Sequence, residues 1–193
     1  MTDAPETRKI LALLSSPRKK GNSNTLARQI IKSAETEGAE VETIYLHGMN
    51  ISPCQGCYAC QRKGSKGCAI DDDMQSLYPK LIAADTWIIS SPVYWFTMCA
   101  QTKLFMDRCF ALFASGPQVL TGKRIGIAMS YGDSDPFNSG CVNALRTFQD
   151  AYNYVGAKII GKVYGSAEEP GEIASNSGLM AEAQALGKKL AGR

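Results

Sequence analysis

The chain has 193 residues, enough for one ordinary domain with a full core and too few for a second of similar size. Its 21 Lys and Arg against 18 Asp and Glu leave a net charge of +3, far short of the basic excess with which nucleic-acid proteins neutralise phosphates. The polar start, Met1 to Lys9, and the short apolar run Ile10 to Leu14 do not suit a signal-peptide core or a membrane span. The expectation is a cytoplasmic protein with no nucleic-acid and no membrane partner. Seven cysteines in such a chain stay mostly reduced, and the odd number argues against a closed disulfide framework.

Taken in order, strand-length apolar runs alternate with helical periodicity. Ile10 to Leu14 reads as a buried strand, and Leu26, Ala27, Ile30, Ile31 and Ala34 then recur at helical spacing until Gly38. Val41 to Leu46 is the second strand. Asp71, Asp72 and Asp73 stand where carboxylates cap a helix start, before the apolar stripe of Met74, Leu77, Tyr78, Leu81 and Ile82. Thr86 to Ser90 is the third strand, ended by Pro92, and a long helix beginning near Met98 carries Leu104, Phe105, Cys109, Leu112 and Phe113.

The fourth strand is Arg124 to Met129. A loop with Gly132, Asp133 and Pro136 leads to a helix carrying Leu145, Phe148, Gln149 and Tyr152, then to a fifth strand, Lys158 to Val163, and a last helix with Leu179, Ala183, Leu186 and Leu190. Five strands alternating with five helices make a single α/β domain over the whole chain: a three-layer, doubly wound, five-stranded parallel sheet with ligands at the carboxyl ends of its strands.

The first strand runs into Ser15-Ser16-Pro17-Arg18-Lys19-Lys20-Gly21-Asn22-Ser23-Asn24-Thr25, which gathers hydroxyls, amides and free N–H groups at a helix start. That is an anion site. It has neither the G-x-G-x-x-G spacing of a dinucleotide fold nor the G-K-[ST] ending of a P-loop, so a phosphomonoester suits it better. The same residues also suit a plain capping turn, with Asn22 or Asn24 as the cap.

Ser16-Pro17-Arg18-x-x-Gly21-Asn22-Ser23 resembles the phosphate-binding loop of the NADPH-dependent FMN reductase family, within the flavodoxin-like superfamily. The resemblance implies that Ser16, Arg18, Asn22, Ser23 and Thr25 hold the phosphate of FMN. It extends to Pro92-Val93-Tyr94, which looks like the family's flavin loop, and to Lys103-x-x-x-Asp107-Arg108 on the following helix. Pro92, Val93, Tyr94, Trp95 and Phe96 offer a rigid, flat apolar wall of the kind an isoalloxazine ring needs, and the three aromatics also suit a protein contact patch. In the loop after the fourth strand, Ser130, Tyr131 and Gly132 form a third contact, Tyr131 closing over the ring and Gly132 permitting close backbone approach. The same segment also suits an ordinary turn before a helix.

Cys54-x2-Cys57-x2-Cys60-x7-Cys68 is the sharpest motif. Two-residue gaps let thiolates converge on one inorganic centre, in a spacing nearer a [4Fe-4S] run than the paired knuckles of zinc, and Arg62, Lys63 and Lys66 stand beside it. A set of reduced thiols is the other reading. On this scaffold the motif resembles that of the iron-sulfur flavoproteins, a branch of the same family.

Cys99, Cys109 and Cys141 read as small core residues, and His47, the single histidine, as a surface residue. No catalytic side chain is expected, because a flavin carries the chemistry itself. The expectation is an FMN-dependent oxidoreductase that passes electrons between FMN and a [4Fe-4S] cluster, with NAD(P)H or a ferredoxin-type protein as redox partner. The alternatives are a cluster-free NAD(P)H-dependent reductase of flavin, quinone or nitro compounds, and a flavodoxin-like carrier or sensor. The resemblance also implies a homodimer or homotetramer.

Overall fold

The run that begins at Ile10 is a strand buried along its length, β1 (Lys9–Leu14), in the computed structural model, which describes residues 7–192. Most of the polar start, Met1 to Glu6, lies outside the described residues. Alternate β1 side chains go to opposite faces: Leu11 and Leu13 join one core, Ile10, Ala12 and Leu14 the other. Both faces are apolar because both are covered.

The elements in order are α1 (Asn22–Thr36), β2 (Glu40–Tyr45), α2 (Met74–Ala83), β3 (Thr86–Tyr94), β4 (Thr97–Met98), α3 (Ala100–Arg108), β5 (Arg124–Tyr131), α4 (Cys141–Tyr154), β6 (Lys158–Ser166) and α5 (Ser177–Ala191). Five strands are parallel, in the order β2-β1-β3-β5-β6. Leu26 and Ile30 of α1 pack with Leu186 and Leu190 of α5 on one face; Leu77 of α2, Phe105 of α3 and Phe148 of α4 lie on the other. This is the expected three-layer, doubly wound architecture. The chain steps from β1 outward to β2 and then back across to β3, so the loops leaving β1 and β3 diverge and open a crevice at the carboxyl edge.

Three expectations change. Pro92 does not end the third strand, which continues to Tyr94 and turns back through β4, a short antiparallel addition. The Ser90 carbonyl accepts from Ser15 N–H at 3.2 Å; Pro92, two residues on, faces the same side, past the end of β1, where no donor is needed. The helix after it begins at Ala100 and stops at Arg108, and Cys109–Ser115 continues as a 3-10 helix. The fourth and fifth parallel strands run on to Tyr131 and Ser166, beyond the apolar runs that announced them.

Candidate functional site

No side chain caps the start of α1. Its N-cap is Gly21, in extended backbone, with no side-chain hydrogen bond, which leaves the leading N–H groups and the positive end of the helix dipole open. A Cβ on Gly21 would lie 2.6 Å from Ser16 Oγ and 3.0 Å from the Arg18 carbonyl, so the turn can only be this tight with glycine. Ser16 Oγ accepts from Arg18 N–H at 3.2 Å, and its own proton is free to donate. The Ser23 hydroxyl in the first turn and the Ser15 hydroxyl just after β1 are both buried without a partner. Orphan buried hydroxyls flanking an uncapped helix start fit a phosphate ester, which would satisfy them.

The other two residues expected here are committed elsewhere. The Asn22 amide donates to the carbonyls of Ala167 and Glu169 at 3.2 and 2.9 Å and accepts from the N–H groups of Gly171 and Ile173 at 2.9 and 3.3 Å. It welds α1 to the loop after β6 and has only its backbone N–H to offer an anion. Thr25 donates both its hydroxyl and its N–H to the Gly21 carbonyl. The turn is braced from β2, where Tyr45 donates to the Pro17 carbonyl at 2.6 Å, and from β3, where Ser90 donates to Asn24 Oδ1 at 2.9 Å.

Beyond this turn lies a cleft of about 380 Å³. Ser16, Arg18 and Asn22 form one end, Pro92, Val93 and Tyr94 a second wall, and Ser130, Tyr131 and Gly132 a third. Nine residues expected from three separate loops thus share one cavity. Ala167, Glu168 and Pro170 complete it. That fourth wall was missed, although the loop after the last parallel strand must open on the same edge as the others.

Trp95 and Phe96 do not line the cleft. They form the two-residue turn between β3 and β4, with φ of 47° and 66°, the paired left-handed geometry usually given to Asn-Gly. Gly140 presses against this turn so closely that a Cβ would lie 2.3 Å from the Phe96 carbonyl, and Asn143 donates to that carbonyl at 3.1 Å. Trp95 is 91% exposed at the tip.

The four cysteines sit in a segment whose only regular structure is the 3-10 turn Ala59–Gln61. Cys54 and Cys57 are exposed, Cys60 is buried and Cys68 half-buried. Among the described residues, no three His, Cys, Asp or Glu side chains are gathered closely enough to hold a metal ion. The donor set itself, four thiols within fifteen residues beside Arg62, Lys63 and Lys66 in the sequence, has the chemistry that iron-sulfur ligation uses.

Below this loop lies an ion pair unseen in the sequence. Arg108 and Asp72 are joined by Nη1–Oδ2 and Nη2–Oδ1 contacts of 2.5 and 3.0 Å, with both side chains 1% exposed. Burial alone would raise the Asp72 carboxyl, but hydrogen bonds from Arg108, Ser52 N–H and Met74 N–H, with the guanidinium charge, outweigh it and hold the pKa below the ordinary value. Arg108 Nη2 also donates to Cys68 Sγ at 3.4 Å.

Cys99 and Cys141 are fully buried, and Cys109 packs against the core. Burial raises the Cys109 thiol and pushes that of Cys141 up to about 11, which keeps both protonated. His47 is exposed, its Nδ1 2.9 Å from Gln101 Nε2. No helix among the described residues is long and apolar enough to cross a membrane.

The sequence model of a family described as NADPH-dependent FMN reductase matches residues 8–170. The chain is 36% identical over 144 residues to an iron-sulfur flavoprotein of Methanocaldococcus jannaschii, across 75% of this chain and 70% of the relative. It is 30% identical over 191 residues to a second iron-sulfur flavoprotein of that organism, across 95% of each. Among solved structures, an NAD(P)H:quinone oxidoreductase from Methanothermobacter marburgensis superposes with a TM-score of 0.71 at 17% identity, covering 97% of this chain and 98% of that one. Megasphaera elsdenii flavodoxin does so at 0.61 and 16%, covering 95% and 99%.

Proposed function

The chain belongs to the NADPH-dependent FMN reductase family and is an FMN-dependent oxidoreductase, and from that premise we propose how its residues hold the flavin and what else they carry. FMN phosphate is read on the open start of α1, held by backbone N–H groups of the first turn, by the Ser16 and Ser23 hydroxyls and by the Arg18 guanidinium. The ring is read in the cleft between Pro92-Val93-Tyr94 and Ser130-Tyr131-Gly132. The observation that carries this is a helix start that no side chain caps, with the buried Ser23 hydroxyl unpartnered in its first turn.

When bound, FMN supplies two-electron exchange with a reduced donor and single-electron exchange with a metal centre. The protein's part is to hold phosphate and ring in register and to keep one ring face open to a donor, NAD(P)H or a ferredoxin-type protein. No side chain is needed as acid or base.

The finer reading is that Cys54, Cys57, Cys60 and Cys68 hold a [4Fe-4S] cluster. It is supported by the spacing of the four thiols, by the Arg108 hydrogen bond to Cys68 and by the names of the iron-sulfur relatives. The separation of the thiols favours a second reading, a cluster-free NAD(P)H-dependent reductase. Iron and acid-labile sulfide on anaerobically purified protein decide between them: stoichiometric iron supports the first, and none after anaerobic reconstitution supports the second. A folded sample that stays colourless in excess FMN overturns both. The reading includes a homodimer or homotetramer, supported by the exposed Trp95, Phe96 and Phe137 and tested by sedimentation.

A further inference from the structure

The cysteine loop is tied at its base by Asp72 and Asp73, which accept from Ser52 N–H and Asn50 N–H, and by Arg108, the one of the three side chains that also reaches a cysteine sulfur. Arg108, at the last position of α3, donates from Nη1 to the Ser52 carbonyl at 2.8 Å and to Asp72 Oδ2, and from Nη2 to Asp72 Oδ1 and to Cys68 Sγ at 3.4 Å. Ser52 N–H donates in turn to Asp72 Oδ2 at 2.9 Å. The residues just before Cys54 and just after Cys68 are thereby drawn to one buried guanidinium. A guanidinium is planar, with its five N–H bonds fixed in direction. Four of them are used as described; the fifth, Nε–H, is buried without a partner. Nη2 is the nitrogen on the Nε side, so the proton given to Cys68 Sγ and the idle Nε–H leave the same edge in parallel. An ionic donor is rarely left idle inside a protein, and here it is aimed beside a sulfur atom.

We propose that Arg108, clamped by Asp72, is the positioning residue of the sulfur site: its Nε–Nη2 edge fixes Cys68 as the anchored thiolate and presents a second N–H to sulfur of the bound iron-sulfur group. This rests on the cluster reading above. Cys54 and Cys57, exposed and outside the clamp, are the ligands that move to close the site. Hydrogen bonds and positive charge at cluster sulfur stabilise the more negative, reduced form, so this edge raises the reduction potential and slows loss of iron.

The test uses FMN-loaded, anaerobically reconstituted protein, wild type and Arg108→Lys, which keeps the charge and loses the fork. Iron and sulfide content, the rate of iron transfer to a chelator and the cluster midpoint potential by redox titration are measured beside FMN affinity. The expected result is an unchanged FMN affinity, a more negative potential and iron loss about 10- to 100-fold faster, the range typical of groups behind metal ligands. A folded Arg108→Lys protein with wild-type potential and iron retention overturns the proposal. A wild type that takes up no iron overturns the cluster reading beneath it, a separate failure seen before any variant is made. Should Arg108→Lys not fold, Arg108→Met combined with Asp72→Leu removes both charges together, and the same two readings apply: a lowered potential or lost cluster supports the proposal, wild-type values defeat it.

Discussion

The amide oxygen of Asn22 accepts the Gly171 N–H at 2.9 Å, a tie between the first residue of α1 and a loop that follows the last strand. With the three other hydrogen bonds of this amide, it fixes the fourth wall of the cleft to the turn that receives the phosphate. Asn22→Ala leaves those buried N–H and C=O groups unpaired, at a cost of about 1–3 kcal/mol. Denaturant unfolding of the flavin-free protein should show that loss, and FMN titration a weaker complex. Unchanged stability would mean water replaces the amide without penalty.

Arg18→Ala combined with Ser23→Ala removes the cation and one orphan hydroxyl while leaving the backbone of the turn intact. Hydrogen bonds to a charged group contribute about 1.5–3 kcal/mol each, so FMN affinity should fall by at least about tenfold. Riboflavin, which has the ring and no phosphate, is the control. Its affinity should stay at the wild-type value, and an equal fall for both ligands would place the two residues at the ring.

The turn at Trp95 and Phe96 keeps two bulky residues in left-handed backbone, a strain of about 1–3 kcal/mol at each. Gly140, itself at φ 79°, is the surface that holds it in place. Gly140→Ala drives a methyl group into the Phe96 carbonyl and should lower stability by about 2 kcal/mol or more. Because Val93 and Tyr94 lie on the same hairpin, flavin binding should weaken with it. Wild-type flavin affinity in a destabilised Gly140→Ala protein would show that the hairpin tip and the cleft wall move independently.

The layers and the strand order were legible because each is written in side-chain periodicity: Leu11 and Leu13 against Ile10, Ala12 and Leu14, or Leu26 and Ile30 on one stripe. The three cleft loops were legible because turns after parallel strands gather at one edge. What escaped was whatever depends on a partner distant in the chain. Asn22 reads as an anion ligand until residues 167–173 are seen to consume its amide. Asp72 reads as a helix cap, and its Oδ1 does accept from Met74 N–H at 3.1 Å, yet nothing nearby in sequence announces Arg108, thirty-six positions on. Pro92 reads as a strand end because its local rule is sound; only the register with β1 shows that the missing N–H is not needed there.

The Arg108–Asp72 pair also sets a dependence on acid. The folded Asp72 carboxyl has a lowered pKa, so its contribution is fully present above the unfolded carboxylate value of about 3.9 and is lost as pH falls through the depressed folded value. At neutral pH, Asp72→Asn leaves a buried guanidinium without its counter-charge, a loss of about 3–5 kcal/mol. As pH falls below about 4, the wild type begins to lose this contribution, and the gap between the two proteins should narrow. Denaturant unfolding of flavin-free wild type and Asp72→Asn from pH 7 down to pH 3 measures this directly. A stability gap that stays constant over that range would mean that the carboxylate's charge, as distinct from its hydrogen bonds, contributes nothing to closing the cysteine loop.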